Sequence, residues 1–278
     1  MLKTRVITAL VLVSVLLPAL FLLPQSYWAL AVAGVIGVAA WEWGALLGWK
    51  SQQRIFLGVV FGLICALVSL LDPAAIGADE VFSPRQTWVV VAYVLAGAFW
   101  FLAIPVWLNK KWPVSGFGGL MVGVVVLFPT WLAMVQLRTL GAAPLLAIFA
   151  VVWMADVAAY FSGKAFGKHK LAPTISPGKT LEGAAGAVIG VVIYGIVLQQ
   201  LYSIELMSLP LWVLTLVGVT VVSIVGDLYE SLLKRKAGIK DSSNVLPGHG
   251  GVLDRIDSLT STLPIVALFW LLLIYVPA

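Results

Sequence analysis

Between Asp227 and Asp257 the chain gathers five carboxylates, five cationic side chains and one of its two histidines, in a sequence that is otherwise largely apolar. Asp227, Glu230, Ser231 and Lys234 follow at i, i+3, i+4 and i+7, which stacks them on one face of a helix. Arg235 closes that run and Lys240 and Asp241 follow. Pro247-Gly248-His249-Gly250-Gly251 then offers backbone that can approach a phosphate closely. Asp254 and Asp257 share one face of a new helical turn, with Arg255 between them. Carboxylates with few histidines and no thiolates suit a hard cation, most naturally Mg²⁺ held by one or two acids plus substrate phosphates. Zinc would want cysteine or clustered histidine. Lysine and arginine interleaved with the acids fit phosphoryl or nucleotidyl transfer, where positioning and charge neutralisation supply most of the catalysis. The expected chemistry is metal-dependent substitution at phosphorus.

A second polar stretch, residues 163–183, carries Lys164, Lys168, Lys170 and Lys179 among hydroxyls and glycines. Its ending Gly178-Lys179-Thr180 suggests a P-loop, but that spacing needs a glycine where Pro173 stands, and no strand precedes it. What survives is Ser176 and Thr180 near the start of a helix, whose free N–H groups would welcome a phosphate. The plainer alternative is a basic loop resting on anionic headgroups. His169, flanked by lysines, reads as solvated or headgroup-facing. Two acids lie deeper in apolar surroundings. Asp156 reads as lining a site, against a structural pairing with a Lys or Tyr, because an intramembrane carboxylate demands a partner. Glu42, between Trp41 and Trp43, is left open between an aromatic-belt position and a site role.

These residues need elements to hold them, and the composition says which. Hydrophobic residues are 62% of the chain and charged ones 10%, with a mean hydropathy of +1.06. Soluble domains carry about a quarter charged residues, so the expected fold is an all-α, polytopic integral membrane protein. Windows long enough to span a bilayer, about 20 residues each, fall near 5–23, 27–48, 55–72, 87–107, 116–137, 144–163, 183–202, 209–228 and 261–277. That makes nine transmembrane helices, or eight if the first two merge across Pro24-Gln25-Ser26. A nine-helix order places fifteen of the seventeen lysines and arginines on one side and leaves Arg85 and Arg138 on the other. The positive-inside rule makes the crowded side cytoplasmic. The apolar start reads as an uncleaved first helix, its run being longer than a signal peptide's core. Residues 72–86 read as an external connector. The single cysteine, Cys65, allows no intrachain disulfide. A single membrane domain is expected, with residues 1–142 as helical scaffold and 143–278 carrying the catalytic helices and loops.

Ser231-x-Leu233-Lys234-Arg235-x4-Lys240-Asp241-x-Ser243-x2-Leu246-Pro247-x-His249-Gly250-Gly251-Val252-x-Asp254-Arg255-Ile256-Asp257 resembles the signature of the bacterial CDP-diacylglycerol synthases, the phosphatidate cytidylyltransferases. Asp156-x-x-Ala159-Tyr160-x-x-Gly163 and Ser176-Pro177-Gly178-Lys179-Thr180-x-Glu182-Gly183 are similar to that family's other conserved region. The resemblance covers residues 153–262. It implies CTP and phosphatidic acid as substrates, CDP-diacylglycerol and pyrophosphate as products, and Mg²⁺ with room for a second cation. It also implies an inner-membrane location, a homodimer as an option and no nucleic-acid partner. Carried onto this chain, it makes Asp227 and Asp254 the metal ligands, with Asp241 and Asp257 as further candidates. Lys234, Arg235, Lys240 and Arg255 would neutralise phosphates. His249 would bond the pyrophosphate or hold the glycine loop. Asp156, Ser176, Lys179, Thr180, Ser231, Gly250 and Gly251 would bind substrate. Two rivals stay in view. One is a CDP-alcohol or lipid-linked sugar phosphotransferase, of which the CDP-alcohol class is disfavoured because the run Asp-x2-Asp-Gly-x2-Ala-Arg is absent. An anionic-metabolite transporter would use Asp156 and Glu42 as coupling acids.

Overall fold

A computed structural model describes residues 2–78, 87–202 and 207–275. Among them the chain forms α1 (Leu2–Leu22), α2 (Gln25–Leu46), α3 (Ser51–Leu71), α4 (Thr87–Ala98), α5 (Ile104–Lys110), α6 (Gly116–Leu137) and α7 (Ala142–Phe166). A hairpin of β1 (Lys170–Ala172) and β2 (Ser176–Thr180) follows, then α8 (Leu181–Tyr202), α9 (Leu209–Lys236) and α10 (Leu253–Tyr275). Nine helical stretches are long and apolar enough to cross a membrane, with α4 and α5 forming one of them. The fold is that of a helical integral membrane protein. Residues 79–86 of the expected external connector, Arg85 included, lie outside the described residues.

The α4–α5 stretch is interrupted by a π-helical turn at Phe99–Ala103. Pro105, at the start of α5, explains it, because proline has no N–H to donate and its ring clashes with the carbonyl four residues back. The interruption turns Phe99, Trp100 and Trp107 onto Tyr229 of α9, with ring centroids 5.9, 5.8 and 5.8 Å away. All three meet it edge to face.

Small residues set the tightest helix crossings, as expected where lipid tails compete equally for apolar surface. A Cβ on Gly186 of α8 would collide with Ser162 of α7, and one on Gly190 would come within 2.6 Å of Ala158 Cβ. Gly226 does the same for α9 against α10, where a Cβ would sit 3.0 Å from the Asp257 carbonyl oxygen. One continuous buried core runs from Leu20 in α1 to Leu271 in α10 and joins both halves of the chain.

The two ends of the bundle differ. At one, Arg138 donates to the carbonyl oxygens of Leu20 (2.9 Å) and Leu23 and to Gln25 Oε1 (2.9 Å), holding the break at Pro24 that keeps α1 and α2 separate. At the other, Thr8 donates to the Pro247 carbonyl at 2.8 Å, so the start of α1 sits beside the glycine loop.

Two boundaries differ from the hydropathy windows. Helix α9 continues to Lys236 instead of stopping near 228, and α10 begins at Leu253 instead of near 261. Ser231 and Lys234 in one extension and Asp254, Asp257 and Ser258 in the other find polar partners inside the protein, a condition that a hydropathy window does not register. The hairpin stands where only loop was expected, with Lys170 opposite Thr180 and Ala172 opposite Ser176.

Candidate active site

Helices α7, α8 and α9 and the hairpin enclose a cavity of about 370 Å³. Asp156, Lys164, Lys179, Thr180 and Asp227 give it polar lining, and Ala155, Leu171 and Ile224 give it apolar wall. The hairpin brings two of these groups in. It is tied to the first turn of α8 by Glu182, which accepts the Lys168 N–H at 3.1 Å, the His169 N–H at 3.2 Å and His169 Nδ1 at 2.6 Å. His169 fastens the hairpin while its side chain stays largely exposed, in keeping with the solvated position expected of it. Thr180 Oγ1 accepts the Gly183 N–H at 3.0 Å and caps α8. The cap takes up one of the N–H groups on which a phosphate was expected to rest.

Lys179 reaches across the cavity and its ammonium pairs with Asp227 Oδ2. Ser231, one turn on, donates to Asp227 Oδ1 at 3.2 Å. The close crossing at Gly226 brings Asp227 beside Asp257, whose Oδ1 accepts the Ser258 N–H at 2.7 Å. Asp156, Asp227 and Asp257 are near enough for their charges to act on one another, and Arg255 and Lys179 act on Asp156. Among the described residues no three His, Cys, Asp or Glu side chains form a ready metal cage. Two carboxylates on an open cavity with a third behind them nevertheless fit Mg²⁺, which keeps waters and takes further oxygens from substrate phosphates.

A second acidic assembly sits at the start of α10, and it is closed. Asp254 Oδ1 accepts Lys234 Nζ at 2.6 Å. Its Oδ2 lies 2.9 Å from both the backbone nitrogen and the hydroxyl of Ser242, and accepts the Gly251 N–H at 2.7 Å. Lys234 Nζ also stands 3.1 Å from Glu230 Oε1. Asp254 is only 7% exposed and does not line the cavity. Of the two carboxylates that the resemblance makes metal ligands, Asp227 faces the cavity with Asp156, while both Asp254 oxygens accept hydrogen bonds from Lys234, Ser242 and the glycine loop.

The same loop is held from the far half of the chain. Glu42, fully buried near the end of α2, takes hydrogen bonds from Ser242, Ser243, Val252 and Leu253. An aromatic-belt position for Glu42 is excluded by that burial. Sequence reasoning missed its partners because they lie two hundred residues away; the available signal was a carboxylate at membrane depth.

A model of the cytidylyltransferase family matches residues 3–273. The chain is 42% identical to the phosphatidate cytidylyltransferase of Pseudomonas aeruginosa, over 97% of both chains. It is 35% identical to that of Haemophilus influenzae, over 97% of this chain and 99% of the relative, and 32% identical to that of Thermotoga maritima, over 95% and 94%. This chain belongs to the cytidylyltransferase family.

In this cytidylyltransferase the remaining predicted residues scatter around the two assemblies. Arg235 is exposed and its Nε lies 3.5 Å from the Ile175 carbonyl, against the hairpin turn. Ser176 opens β2, paired with Ala172. Lys240, Asp241 and Arg255 are exposed at the same end. Gly250 adopts φ +84°, a conformation that costs glycine nothing, and a Cβ there would also come within 2.6 Å of Asp254 Oδ2. His249 donates its N–H to the Leu246 carbonyl at 2.8 Å, which closes the loop, while its buried Nδ1 has no hydrogen-bond partner among the described residues.

Proposed function

We propose that this chain is a phosphatidate cytidylyltransferase: it transfers the CMP unit of CTP to phosphatidate, giving CDP-diacylglycerol and pyrophosphate. One observation carries the reading. In a chain of this family, Asp156, Lys179 and Asp227, drawn from three separate elements, meet on a single cavity at the polar end of the bundle.

The transfer forms one bond and breaks one. A phosphatidate phosphate oxygen attacks the α-phosphorus of CTP, and the bond from that phosphorus to the oxygen bridging the β-phosphorus breaks, releasing pyrophosphate. The attacking oxygen is already anionic at neutral pH, so no general base is required. What the protein must supply is position and charge compensation. Lys179 and Lys164 stand on the cavity to meet phosphate oxygens, and Arg255 adds positive charge from the α10 side. Asp227, Asp156 and, behind them, Asp257 are the groups suited to hold Mg²⁺. A bound Mg²⁺ would offset charge on the triphosphate and hold its oxygens in line for displacement. Asp254 keeps Lys234 and the glycine loop in place.

The cavity is read as cytoplasmic. Fifteen of seventeen cationic residues fall on that side in the nine-helix order, which matches the loop bias of membrane proteins. CTP labelled at the α-phosphorus, given to membranes with phosphatidate and Mg²⁺, should yield chloroform-soluble label, and γ-labelled CTP should yield only soluble pyrophosphate. Lipid label from the γ position, or none from the α position, would overturn the reading.

A further inference from the structure

Glu42 belongs to the scaffold half of the chain, yet the four hydrogen bonds to its carboxylate come from the opposite half. The four donors are arranged in pairs. Oε1 accepts the Ser243 hydroxyl at 2.5 Å and the Val252 N–H at 3.0 Å. Oε2 lies 3.2 Å from the Ser242 hydroxyl and accepts the Leu253 N–H at 2.6 Å. Each carboxylate oxygen thus takes one backbone N–H and one hydroxyl, and the residue is wholly buried.

Leu253 is the first residue of α10, so Glu42 caps that helix from another part of the chain, occupying N–H groups that have no partner within the helix. A carboxylate is also the right charge there, because the start of a helix is its positive end. The cap fixes where α10 begins. Arg255 and Asp257, whose charges act on the Asp156 and Asp227 pair, ride on its first two turns, where the Asp257 backbone crosses Gly226. Ser242 links the cap to the second acid, its hydroxyl lying between Glu42 Oε2 and Asp254 Oδ2 at 3.2 and 2.9 Å. Its single proton serves one carboxylate at a time. Gly251 is pinched between them, since a Cβ there would collide with both Ser242 Oγ and Glu42 Oε1.

We infer that Glu42 is a positioning residue for nucleotidyl transfer: its carboxylate clamps residues 242–253 and so sets the placement of Asp257 and Arg255 against Asp227. The inference rests on the proposed function for its kinetic consequence, and on geometry alone for the clamp. It has an unusual signature. Glutamine matches glutamate in shape, but one end of its amide is a donor. Whichever way that amide is turned, its NH₂ faces either the Val252 N–H or the Leu253 N–H, donor against donor. Aspartate is a methylene shorter but keeps two acceptor oxygens. The clamp therefore predicts that Glu42→Asp retains more function than Glu42→Gln, the reverse of the order that a space-filling role would give.

The test uses the full chain in detergent or proteoliposomes. Glu42→Gln should lower kcat by about 10- to 100-fold, as misplacement of a group by a fraction of an ångström can. KM for CTP should stay within about threefold, because Glu42 does not line the cavity, and Glu42→Asp should recover part of the lost kcat. Trypsin cleavage after Lys236 and Lys240, next to the clamped loop, should accelerate in Glu42→Gln and less so in Glu42→Asp. Wild-type kcat in Glu42→Gln, Glu42→Gln outperforming Glu42→Asp, or unchanged cleavage would each overturn the clamp. A wild-type protein that makes no lipid product sinks the functional reading instead, and the cleavage experiment still decides the clamp.

Discussion

The two acidic assemblies lie at the same end of the bundle and are built on opposite plans. Around Asp254 and Glu42, buried oxygens face matched donors from backbone, hydroxyl and ammonium groups. Around Asp227 and Asp156 the carboxylates open onto a cavity, and Lys179, on a short hairpin, reaches Asp227 from its far side. A carboxylate whose lone pairs are all used stabilises a conformation, whereas one facing space can take a ligand. Asp227 and Asp254 belong to one polar stretch of the sequence, so membership of that stretch does not separate a carboxylate that holds from one that faces space.

Withdrawing divalent metal tests the open assembly hardest. Chelation with EDTA should reduce turnover to background while the melting temperature in detergent stays put, and added Mg²⁺ should restore it; activity that survives exhaustive chelation would remove the metal from the reading. Asp227→Asn comes next, with an expected loss of about 10³-fold in kcat/KM, the upper range for a group that stabilises developing charge. Its stability should hardly change, because Asp227 and Lys179 are partly exposed and such pairs contribute about 1 kcal/mol or less. Asp254→Asn should show the opposite balance. Its amide must set a donor against Lys234 or against the Ser242 and Gly251 N–H groups, so unfolding should become easier by about 3 kcal/mol. Activity should then fall along with the folded fraction. Equal stability losses in Asp227→Asn and Asp254→Asn would erase the distinction between the two assemblies. Arg138→Gln, at the far end of the bundle, should be the mildest, with a small drop in melting temperature and unchanged kcat.

The membrane architecture was legible because a span must be a long apolar run, and nine such runs are present among the described residues. The helical phase of Asp227, Glu230, Ser231 and Lys234 was legible for a similar reason, since i, i+4 and i+7 spacing is local. Contacts between distant segments were not. Nothing in the residues around Lys179 names Asp227 as its partner, and nothing around Glu42 names Val252. The hairpin escaped notice because Ser176-Pro177-Gly178-Lys179-Thr180 has the composition of a turn and pairs for only a few residues. The partners of Asp254 were not legible either, since a carboxylate that accepts from a lysine and two backbone amides looks, in sequence, like one that faces open space.

Tyr229 stands two residues beyond Asp227, and the rings of Phe99, Trp100 and Trp107 grip it on three sides. Edge-to-face pairs contribute about 0.5–1.5 kcal/mol each beyond simple burial, so swivelling α9 about its axis would forfeit all three together. The helix bearing Asp227 is therefore bolted in place. Across from it stands the small two-stranded hairpin, whose Lys179 already holds Asp227, so any cation or phosphate that enters the cavity meets a charge pair instead of a lone acid.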